Sequence, residues 1–363
     1  MQPLRRQLHA AAGALFSLFA SPVHAQQAEF ALSDWTSTAA FQGPRTSHAA
    51  FVASNRIYVL GGLLVTGGST TLLDDIQVAQ LGNDGTVLST GWRTVGRMPS
   101  ARSGHGLVAL DGRVYLVGGY TAGGTLGDTD VATLGMDGTL DRWVPSSSRL
   151  NIPRSNLVLH AWKAPSGQAY LLVVGGVNQV GSDTVHFDEI ETTAISADGS
   201  VGPWRVCPFH LKGGRSAPGV AVVGSTLIVM GGWGDLLEDV FGDVQTSTLQ
   251  ADGCPGPWTT SPRPLPLPVY GHSVALMGAA SGATAFVLGG NAGQGNYLNT
   301  VQAMSLASDG RPRRIGFDSH LFAIPRWGHA TVRYNDYLYV LGGARRGDGG
   351  FLSDVQFTRA TSP

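Results

Sequence analysis

The hexapeptide VYLVGG at residues 114–119 recurs in near copy five more times along the chain. Each copy is an apolar run of strand type that ends on a pair of glycines. The second glycines stand at positions 62, 119, 176, 232, 290 and 343, so neighbouring pairs are 57, 57, 56, 58 and 53 residues apart. A period of this length predicts a repeat architecture. The other copies are YVLGG at 58–62, LVVGG at 172–176, IVMGG at 228–232, FVLGG at 286–290 and YVLGG at 339–343.

The residues around VYLVGG indicate four strands in each repeat. GHGLVAL at 104–110 forms a first strand, and Asp111 with Gly112 forms a tight turn into the second strand. A polar, glycine-rich loop follows, and DTDVATL at 128–134 forms a third strand. A second Asp and Gly turn, at 137–138, leads to a fourth strand opened by Trp143. Four antiparallel strands per repeat predict a propeller blade.

The sixth repeat lacks a fourth strand of its own, and the N-terminus has the signature of one. Trp35 stands ten residues before Arg45, as Trp92 stands ten residues before Arg102. Pairing the segment around Trp35 with LSDVQFTRA at 352–360 would complete the sixth blade and leave no free strand edge. We therefore predict an all-β, six-bladed propeller in one domain over 26–363, with glycine pairs where second strands crowd around the axis. The predicted repeats span about 45–98, 99–150, 151–210, 211–264, 265–322, and 323–363 plus 31–44.

The first 25 residues have the features of a cleavable export signal. Arg5 and Arg6 form a basic start, an apolar stretch follows, and Val23 and Ala25 stand where a signal peptidase reads. The paired arginines also fit a twin-arginine signal, which we rank second. We predict an exported protein, periplasmic or secreted after cleavage near Ala25, with no later membrane span.

The amino-acid composition limits the classes of molecule that the protein is expected to bind. Only 13% of the residues are charged, and removing Arg5 and Arg6 changes the formal charge from −1 to −3. No basic stripe is present, so nucleic acid is not expected as a partner. Export permits disulfides, but Cys207 follows its tryptophan by three residues whereas Cys254 precedes its own by four. We therefore expect two separate thiols rather than a bridge.

A glycine pair closing an apolar strand and a tryptophan opening the outermost strand together resemble the kelch repeat family of β-propellers. The resemblance covers residues 31–360. The copies depart from the kelch pattern in exceeding about 50 residues and in replacing the usual tyrosine near the third strand by the Asp and Gly turn. The resemblance implies a ligand on the face built from the loops between strands two and three and the loops between blades. It implies no single activity, because kelch propellers include protein-binding modules, a copper oxidase, sialic acid mutarotases and iron-dependent specifier proteins.

Neither a metal nor a cofactor is expected. The copper oxidase needs a cysteine cross-linked to a tyrosine near the axis, whereas both cysteines here map to outer strands or their turn. No cluster of histidines and carboxylates has the spacing of a zinc or iron site, and HFDE at 186–189 is interpreted as a strand entrance.

Four histidines hold the same place at the head of a first strand, and Leu157 and Pro218 fill that place in the other two repeats. Because leucine and proline replace histidine within one molecule, we favour packing over catalysis for this position. The histidines are His48, His105, His272 and His329.

Arginine recurs three residues before the histidine position, in the loops between blades. A ring of such donors would suit a carboxylate or sulfate ligand. However, an acid precedes the third strand in every repeat except the fifth. The fifth repeat also lacks the arginine, with Val269 and Thr300 in place of the two partners. Because arginine and acid are lost together, we predict a structural ion pair inside each of the other blades. The predicted pairs are Arg45 with Asp75, Arg102 with Asp128, Arg154 with Glu189, Arg215 with Asp243, and Arg326 with Asp354.

The candidate site lies where the repeats differ on the ligand-side loops. After the arginine position, four repeats carry a small hydroxyl residue, but the last two carry Tyr270 and Trp327. The loops after the glycine pairs add aromatic, amide and charged residues in blades four to six. Packing against the neighbouring blade is an equal alternative for Tyr270 and Trp327. The candidate ligand-binding residues are Tyr270, Trp327, Trp233, Asp235, Asn291, Gln294, Tyr297, Arg345, Arg346 and Asp348.

Three functions remain open on the sequence. The favoured one is an exported recognition module that binds a glycan or a protein on its loop face, because aromatic faces ringed by amides suit sugars or an extended peptide. The alternative is an enzyme acting on a sugar acid, implied by the mutarotase relatives, in which Arg345, Arg346 and either Asp235 or Asp348 would lie in the site. The third is a scaffold for another exported protein. Catalytic residues and the oligomeric state are not predicted.

Overall fold

The computed structural model describes residues 30–140, 142–235, 239–279, 282–346 and 350–362. Every element of regular secondary structure in these ranges is a β-strand. This confirms the predicted all-β fold. Within them, no helix is long and apolar enough to cross a membrane. The predicted signal segment, residues 1–25, lies outside the described ranges.

Two short N-terminal strands precede the first three blades. They are β1 (Ala31–Leu32) and β2 (Thr36–Thr38). Blade one contains β3 (Ala49–Ala53), β4 (Arg56–Leu60), a hairpin of β5 (Leu63–Thr66) and β6 (Ser69–Leu72), β7 (Asp75–Gln80) and β8 (Arg93–Arg97). Blade two contains β9 (Gly106–Leu110), β10 (Arg113–Thr121), β11 (Gly124–Thr133) and β12 (Trp143–Pro145). Blade three contains β13 (Val158–Lys163), β14 (Ala169–Val174), a hairpin of β15 (Val177–Val180) and β16 (Asp183–His186), β17 (Ile190–Ile195) and β18 (Arg205–Val206).

The last three blades have no such hairpin among their described residues. Blade four contains β19 (Gly219–Val223), β20 (Thr226–Met230), β21 (Val244–Thr248) and β22 (Thr259–Thr260). Blade five contains β23 (Ser273–Ala279), β24 (Gly282–Asn291), β25 (Tyr297–Leu306) and β26 (Pro312–Phe317). Blade six contains β27 (Ala330–Tyr334), β28 (Tyr337–Ala344) and β29 (Phe351–Thr361).

The six blades form a closed ring. Each blade is an antiparallel sheet whose four strands follow one another in order, and the sixth takes its outer strand from the N-terminus. There, β1 pairs with residues 360–361 and β2 with residues 355–357 of β29. The first strands of neighbouring blades contact one another around the whole ring, from β3 through β9, β13, β19, β23 and β27 back to β3. The structure thus confirms a six-bladed propeller closed by an N-terminal strand.

The glycine pairs lie against the next blade, and the first strands, rather than the second, surround the axis. The predicted reason for the glycines was therefore wrong. A Cβ on Gly118 would stand 2.7 Å from the carbonyl oxygen of Arg154 in the next blade. Gly118 and Gly119 also have positive φ angles, +60° and +102°, which disfavour a side chain. The close approach lets the N–H of Gly119 donate to the Arg154 carbonyl at 3.0 Å. The equivalent bonds join Gly62 to Arg102, Gly176 to Arg215, Gly232 to Val269, Gly290 to Arg326 and Gly343 to Arg45.

The Asp and Gly turns at the blade edges dock on the preceding blade. The Tyr58 hydroxyl of blade one donates to the carbonyl of Gly138 at 3.2 Å. The Tyr115 hydroxyl of blade two donates to the carbonyl of Gly199 at 3.0 Å. These bonds hold the outer edges of neighbouring blades together.

Cys207 and Cys254 form a disulfide, with Cα atoms 5.5 Å apart, so the prediction of two separate thiols is wrong. Cys207 follows β18 in blade three, and Cys254 ends the Asp and Gly turn of blade four. The two positions differ within their own repeats, but that turn folds against blade three. There, Tyr170 donates to the carbonyl of Ala251 at 2.8 Å. Both cysteines therefore meet in the apolar cluster between these blades.

Reduction of the disulfide is expected to lower the free energy of unfolding by about 4 kcal/mol, because the bond constrains a long loop of the unfolded chain. Its cysteines are 47 residues apart. Urea unfolding with and without a reductant measures the loss. A variant with both Cys207→Ala and Cys254→Ala is the control, because the reductant should not destabilise it further. An unchanged midpoint for the reduced protein would contradict the assignment.

Candidate functional site

Four of the five predicted arginine and acid pairs are ion pairs inside a blade. In blade one, Arg45 Nη1 lies 2.7 Å from Asp75 Oδ1 and also donates to the carbonyl of Gly61 at 3.0 Å. Although burial opposes ionisation, the hydrogen bonds and charge of Arg45 hold the pKa of Asp75 below its usual value. The other three pairs are Arg102 with Asp128 at 2.9 Å, Arg215 with Asp243 at 2.8 Å, and Arg326 with Asp354 at 2.7 Å.

In blade three the predicted arginine forms an ion pair, but with a different acid from the one predicted. Arg154 pairs with Glu191 at 2.9 Å, whereas Glu189 contributes only its backbone carbonyl, at 3.0 Å from Arg154 Nη1. Glu191 stands two residues further along β17, so its side chain lies on the same face as position 189. The Glu191 carboxylate also accepts the backbone N–H of Asn151 at 2.7 Å. A fully buried carboxylate thus replaces the half-buried acid of the other blades.

The Glu191 position is polar in all six repeats, which the sequence analysis missed. In blade one it is Gln77, whose amide accepts from the N–H of Gln42 at 2.8 Å and donates to the carbonyl of Gln42 at 2.7 Å. Reading two residues beyond each predicted acid would have found this set. The equivalent residues are Gln77, Asp130, Glu191, Gln245, Gln302 and Gln356.

Six loop residues, one from each blade, form a closed ring of backbone hydrogen bonds around the axis, the axial ring. Each stands two positions after the arginine position and has a left-handed backbone, with φ between +47° and +60°. Each N–H donates to the carbonyl oxygen of the equivalent residue in the preceding blade, at 2.7–3.1 Å. The ring fixes the mouth of the propeller. Its members are Ser47, Gly104, Asn156, Ala217, Gly271 and Gly328.

A cavity of about 250 Å³, the axial cavity, lies at this ring. Trp233, Tyr270 and Trp327 line it on the side of blades four to six. On the opposite side, its wall includes the ring residues Ser47 and Asn156. The cavity thus has one aromatic half and one half in which small and polar residues stand beside aliphatic and histidine side chains.

The aromatic half is a continuous arc. The rings of Trp233 and Tyr270 are stacked, with centroids 5.5 Å apart and planes 25° apart. Trp327 meets Tyr270 edge-on at 6.0 Å, and Tyr297 extends the arc at 6.2 Å from Trp327. Asn291 Nδ2 donates to the Tyr270 hydroxyl oxygen at 2.7 Å. Burial raises the pKa of Tyr270, so its hydroxyl is protonated and keeps its own hydrogen to donate.

The arc residues occupy two repeat positions that face each other. The residue after the arginine position forms an antiparallel bridge with the residue after the glycine pair of the same blade. A large side chain faces a smaller one in each of the last three blades. The two positions are far apart in the sequence, so this pairing was not predicted. The pairs are Ser216 with Trp233, Tyr270 with Asn291, and Trp327 with Ala344.

Trp327 contacts the neighbouring blade as well as the cavity. A Cβ on Gly271 of blade five would stand 2.9 Å from Trp327 Cε3. Trp327 and Tyr270 are both half-buried. Each side chain therefore lines the axial cavity and also contacts a neighbouring blade.

The four histidines are buried packing residues beside the cavity. Burial lowers the pKa of His48 and His105 to about 3 and that of His272 to about 4, and it holds the pKa of His329 well below its usual value. Each ring lies against the first glycine of the preceding blade. A Cβ on Gly61, for example, would stand 3.0 Å from His105 Cε1. These imidazoles are neutral at physiological pH.

The remaining candidate residues that the structure describes do not line the axial cavity. Asp235 accepts from the backbone N–H of His186 at 3.1 Å and lies 3.0 Å from His186 Nδ1, which ties blade four to the hairpin of blade three. Gln294, Arg345 and Arg346 are exposed. Asp348 lies outside the described residues.

The HFDE stretch leads from β16 into β17, as interpreted, but two of its acids also approach a histidine. Ligand atoms of Asp188, Glu189 and His210 all lie within 4.8 Å of one another. His210 Nδ1 is 3.3 Å from Asp188 Oδ1, a contact that needs no metal.

Comparison with known proteins finds similarity to kelch proteins at low identity. No family model matches it. Kelch repeat and BTB domain-containing protein 1 of ectromelia virus is 28% identical over 158 residues, which are 44% of this chain and 24% of the relative. Beta-scruin of Limulus polyphemus is 27% identical over 154 residues, 40% of this chain and 14% of the relative. The matched segment is thus about a quarter or less of each relative.

A solved structure shares the fold. The structure of YjhT matches with a TM-score of 0.63 and 14% identity, over 88% of this chain and 95% of that one. At this identity the likeness shows the fold alone.

Proposed function

We propose that this chain, a six-bladed β-propeller of kelch repeats, is a binding module that takes its ligand into the axial cavity. The observation that carries the proposal is the arc of Trp233, Tyr270 and Trp327 beside small and polar ring residues. Stacked aromatic faces next to hydrogen-bonding groups suit a sugar ring, whose faces are apolar and whose edges carry hydroxyls. We therefore propose a glycan as the ligand.

No observation favours the sugar-acid enzyme. General acid and base chemistry needs a carboxylate within reach of the anomeric centre. Among the described residues that line the axial cavity, none is an aspartate or a glutamate. Of the residues predicted to take part, Arg345 and Arg346 are exposed and are not among the lining residues. Asp235 is hydrogen-bonded to His186.

We also propose that the protein is exported, either to a periplasm or out of the cell. The basic and apolar pattern of residues 1–25 supports export. The disulfide between Cys207 and Cys254 supports it independently, because structural disulfides persist in oxidising compartments. N-terminal sequencing of the protein from the exported fraction should find Gln26 first. Recovery of the full-length chain from the cytoplasm alone would contradict export.

Replacing Tyr270 or Trp327 by serine is expected to weaken glycan binding by roughly 1–3 kcal/mol, as for a lost aromatic anchor. The free energy of unfolding should fall by only about 1–2 kcal/mol, because each side chain is half-buried and four other blades carry threonine or serine at this position. A glycan array with a peptide array beside it, followed by thermal melts of each variant, measures both effects.

Tyr120→Ser is the matched control. Tyr120 is an exposed aromatic residue after the glycine pair of blade two, outside the cavity lining. Its loss should change neither binding nor stability. A fall of 3 kcal/mol or more in stability with full binding below the melting temperature would reject the binding role of Tyr270 and Trp327. Binding to peptides but to no glycan would replace the glycan by a protein ligand.

A further inference from the structure

We propose that the part of the ligand that enters the axial cavity is an uncharged pyranose, the terminal residue of a neutral glycan, and not a sugar acid. The inference rests on the proposed function, namely that the cavity binds a glycan. Three observations support it: the positions of the arginine side chains near the cavity, the residues that line the cavity, and the size of the cavity.

The five arginine side chains in the loops between blades do not line the cavity. All five arginine side chains are buried, with 0–2% of their surface exposed. Each is bound to a carboxylate of its own blade, and each also donates to the carbonyl of the first glycine of that blade, as Arg326 does to Asp354 and to Gly342. Because these N–H groups already donate to acceptors within the blade, the guanidinium has no free pair of N–H groups with which to bind a ligand carboxylate. The fifth blade has Val269 in place of arginine.

The cavity lining carries no charge among the described residues. It consists of aromatic, aliphatic and small residues, the amide of Asn156, hydroxyls, and the four histidines. The histidines are neutral, because burial keeps their pKa values far below physiological pH. A ligand carboxylate placed here would lose its hydration and gain no counter-charge, which is among the most unfavourable transfers in proteins.

The size of the cavity favours one ring. At about 250 Å³, it is smaller than the roughly 300–1,000 Å³ of pockets that enclose a drug-sized ligand. One sugar ring can place an apolar face on the aromatic arc while its hydroxyls turn towards Asn156 and Ser47 across the cavity. The rest of a glycan would then extend away from the mouth.

Tyr270 supplies the hydrogen bond that distinguishes a sugar from a purely apolar group. Its hydroxyl oxygen already accepts from Asn291 Nδ2 at 2.7 Å, so its hydrogen remains to be donated to a ligand oxygen. Asn291 is held in turn, because its Oδ1 accepts the N–H of Gly293 at 3.0 Å. Asn291 is therefore a positioning residue for the Tyr270 hydroxyl.

The test compares matched neutral and acidic probes by titration calorimetry. The probes are methyl glucoside against methyl glucuronide, and galactose-terminated lactose against sialyl-lactose. The neutral member of at least one pair should bind, and at least about 100-fold tighter than its acidic partner. Tyr270→Phe, which keeps the ring and removes the hydroxyl, should weaken binding of the neutral probe roughly three- to tenfold. Tyr120→Ser, at an exposed residue outside the cavity lining, should leave binding of the neutral probe unchanged.

The outcomes separate the two proposals. Tighter binding of the acidic member would overturn the inference of an uncharged ligand and leave the glycan-binding function standing. Binding of a neutral probe that Tyr270→Phe and Trp327→Ser leave unaltered would place the ligand elsewhere and overturn the inference as well. If no saccharide on the array or in these titrations binds, the proposed glycan-binding function itself fails, and the inference fails with it.

Discussion

Deletion of residues 26–42 is expected to abolish cooperative folding of the propeller. The described part of this segment supplies both strands that pair with β29, and its loss leaves the third strand of blade six as a bare edge. It also removes Phe41, which is 3% exposed, and Trp35, whose ring meets Phe322 edge-on at 5.7 Å. The truncated chain should aggregate or unfold without a cooperative transition, as size-exclusion chromatography and urea unfolding would show.

Ser37→Ala is the control for this deletion. Ser37 lies exposed on β2, so the variant tests whether any change in the closing strand disturbs the protein. It should melt at the wild-type temperature. A chain lacking residues 26–42 that stayed monomeric with an unchanged melting temperature would refute the closure of the ring by this segment.

Acidification from pH 7 to pH 5 is expected to cost the protein on the order of 6 kcal/mol of stability, comparable to the whole stability of an ordinary domain. The pKa of His48 and of His105 is about 3 in the folded protein, against about 6.5 in an unfolded chain. Protons therefore bind the unfolded state first, and stability that is complete above pH 6.5 is lost progressively as the pH falls towards 3. His48, His105 and His272 each contribute about 2 kcal/mol over this interval. Burial also lowers the pKa of His329, which changes stability in the same direction.

Urea unfolding at pH 7, 6 and 5 measures this loss, and His105→Leu is the matched variant. Leu157 already occupies the equivalent place in blade three and packs on Gly118 as His105 packs on Gly61, so leucine should be accommodated. The variant should lose about 2 kcal/mol less than the wild type between pH 7 and pH 5. Equal stability of the wild type at pH 7 and pH 5 would contradict the burial of these histidines as neutral packing groups.

The blade and its closure were predictable because their signals lie within one repeat length. The fixed spacing between Trp35 and Arg45 was sufficient to predict that an N-terminal strand completes blade six. Similarly, the joint loss of arginine and acid in the fifth repeat, at Val269 and Thr300, was sufficient to predict the ion pairs of blades one, two, four and six.

Contacts between blades were not predictable from the same signals. A repeat describes one blade, but it does not say which part of the next blade lies against it. For that reason the disulfide between Cys207 and Cys254 was not predicted. Crowding at the axis was the predicted reason for Gly118, although its neighbour is the carbonyl of Arg154. The pairing of Arg154 with Glu191 and not with Glu189 could not be predicted either, because it depends on the register of the strands.

The candidate site was predictable in part. Tyr270 and Trp327 stood out because they break a run of small hydroxyl residues. Their arrangement with Trp233 required the bridges across each blade, because these bring together positions that the sequence separates. The withdrawal of the arginines from the cavity required the hydrogen-bond geometry of each guanidinium group.

The central claim is that the aromatic arc of the axial cavity binds a sugar, and the indole N–H resonances of the eight tryptophans test it most directly. In a titration of ¹⁵N-labelled protein with the tightest-binding neutral glycoside, the signals of Trp233 and Trp327, assigned from Trp→Phe variants, should shift and saturate with the calorimetric affinity. The signals of the outer-strand residues Trp92, Trp143, Trp204 and Trp258 should not move. Saturable shifts confined to these outer tryptophans, with Trp233 and Trp327 unchanged, would contradict the account.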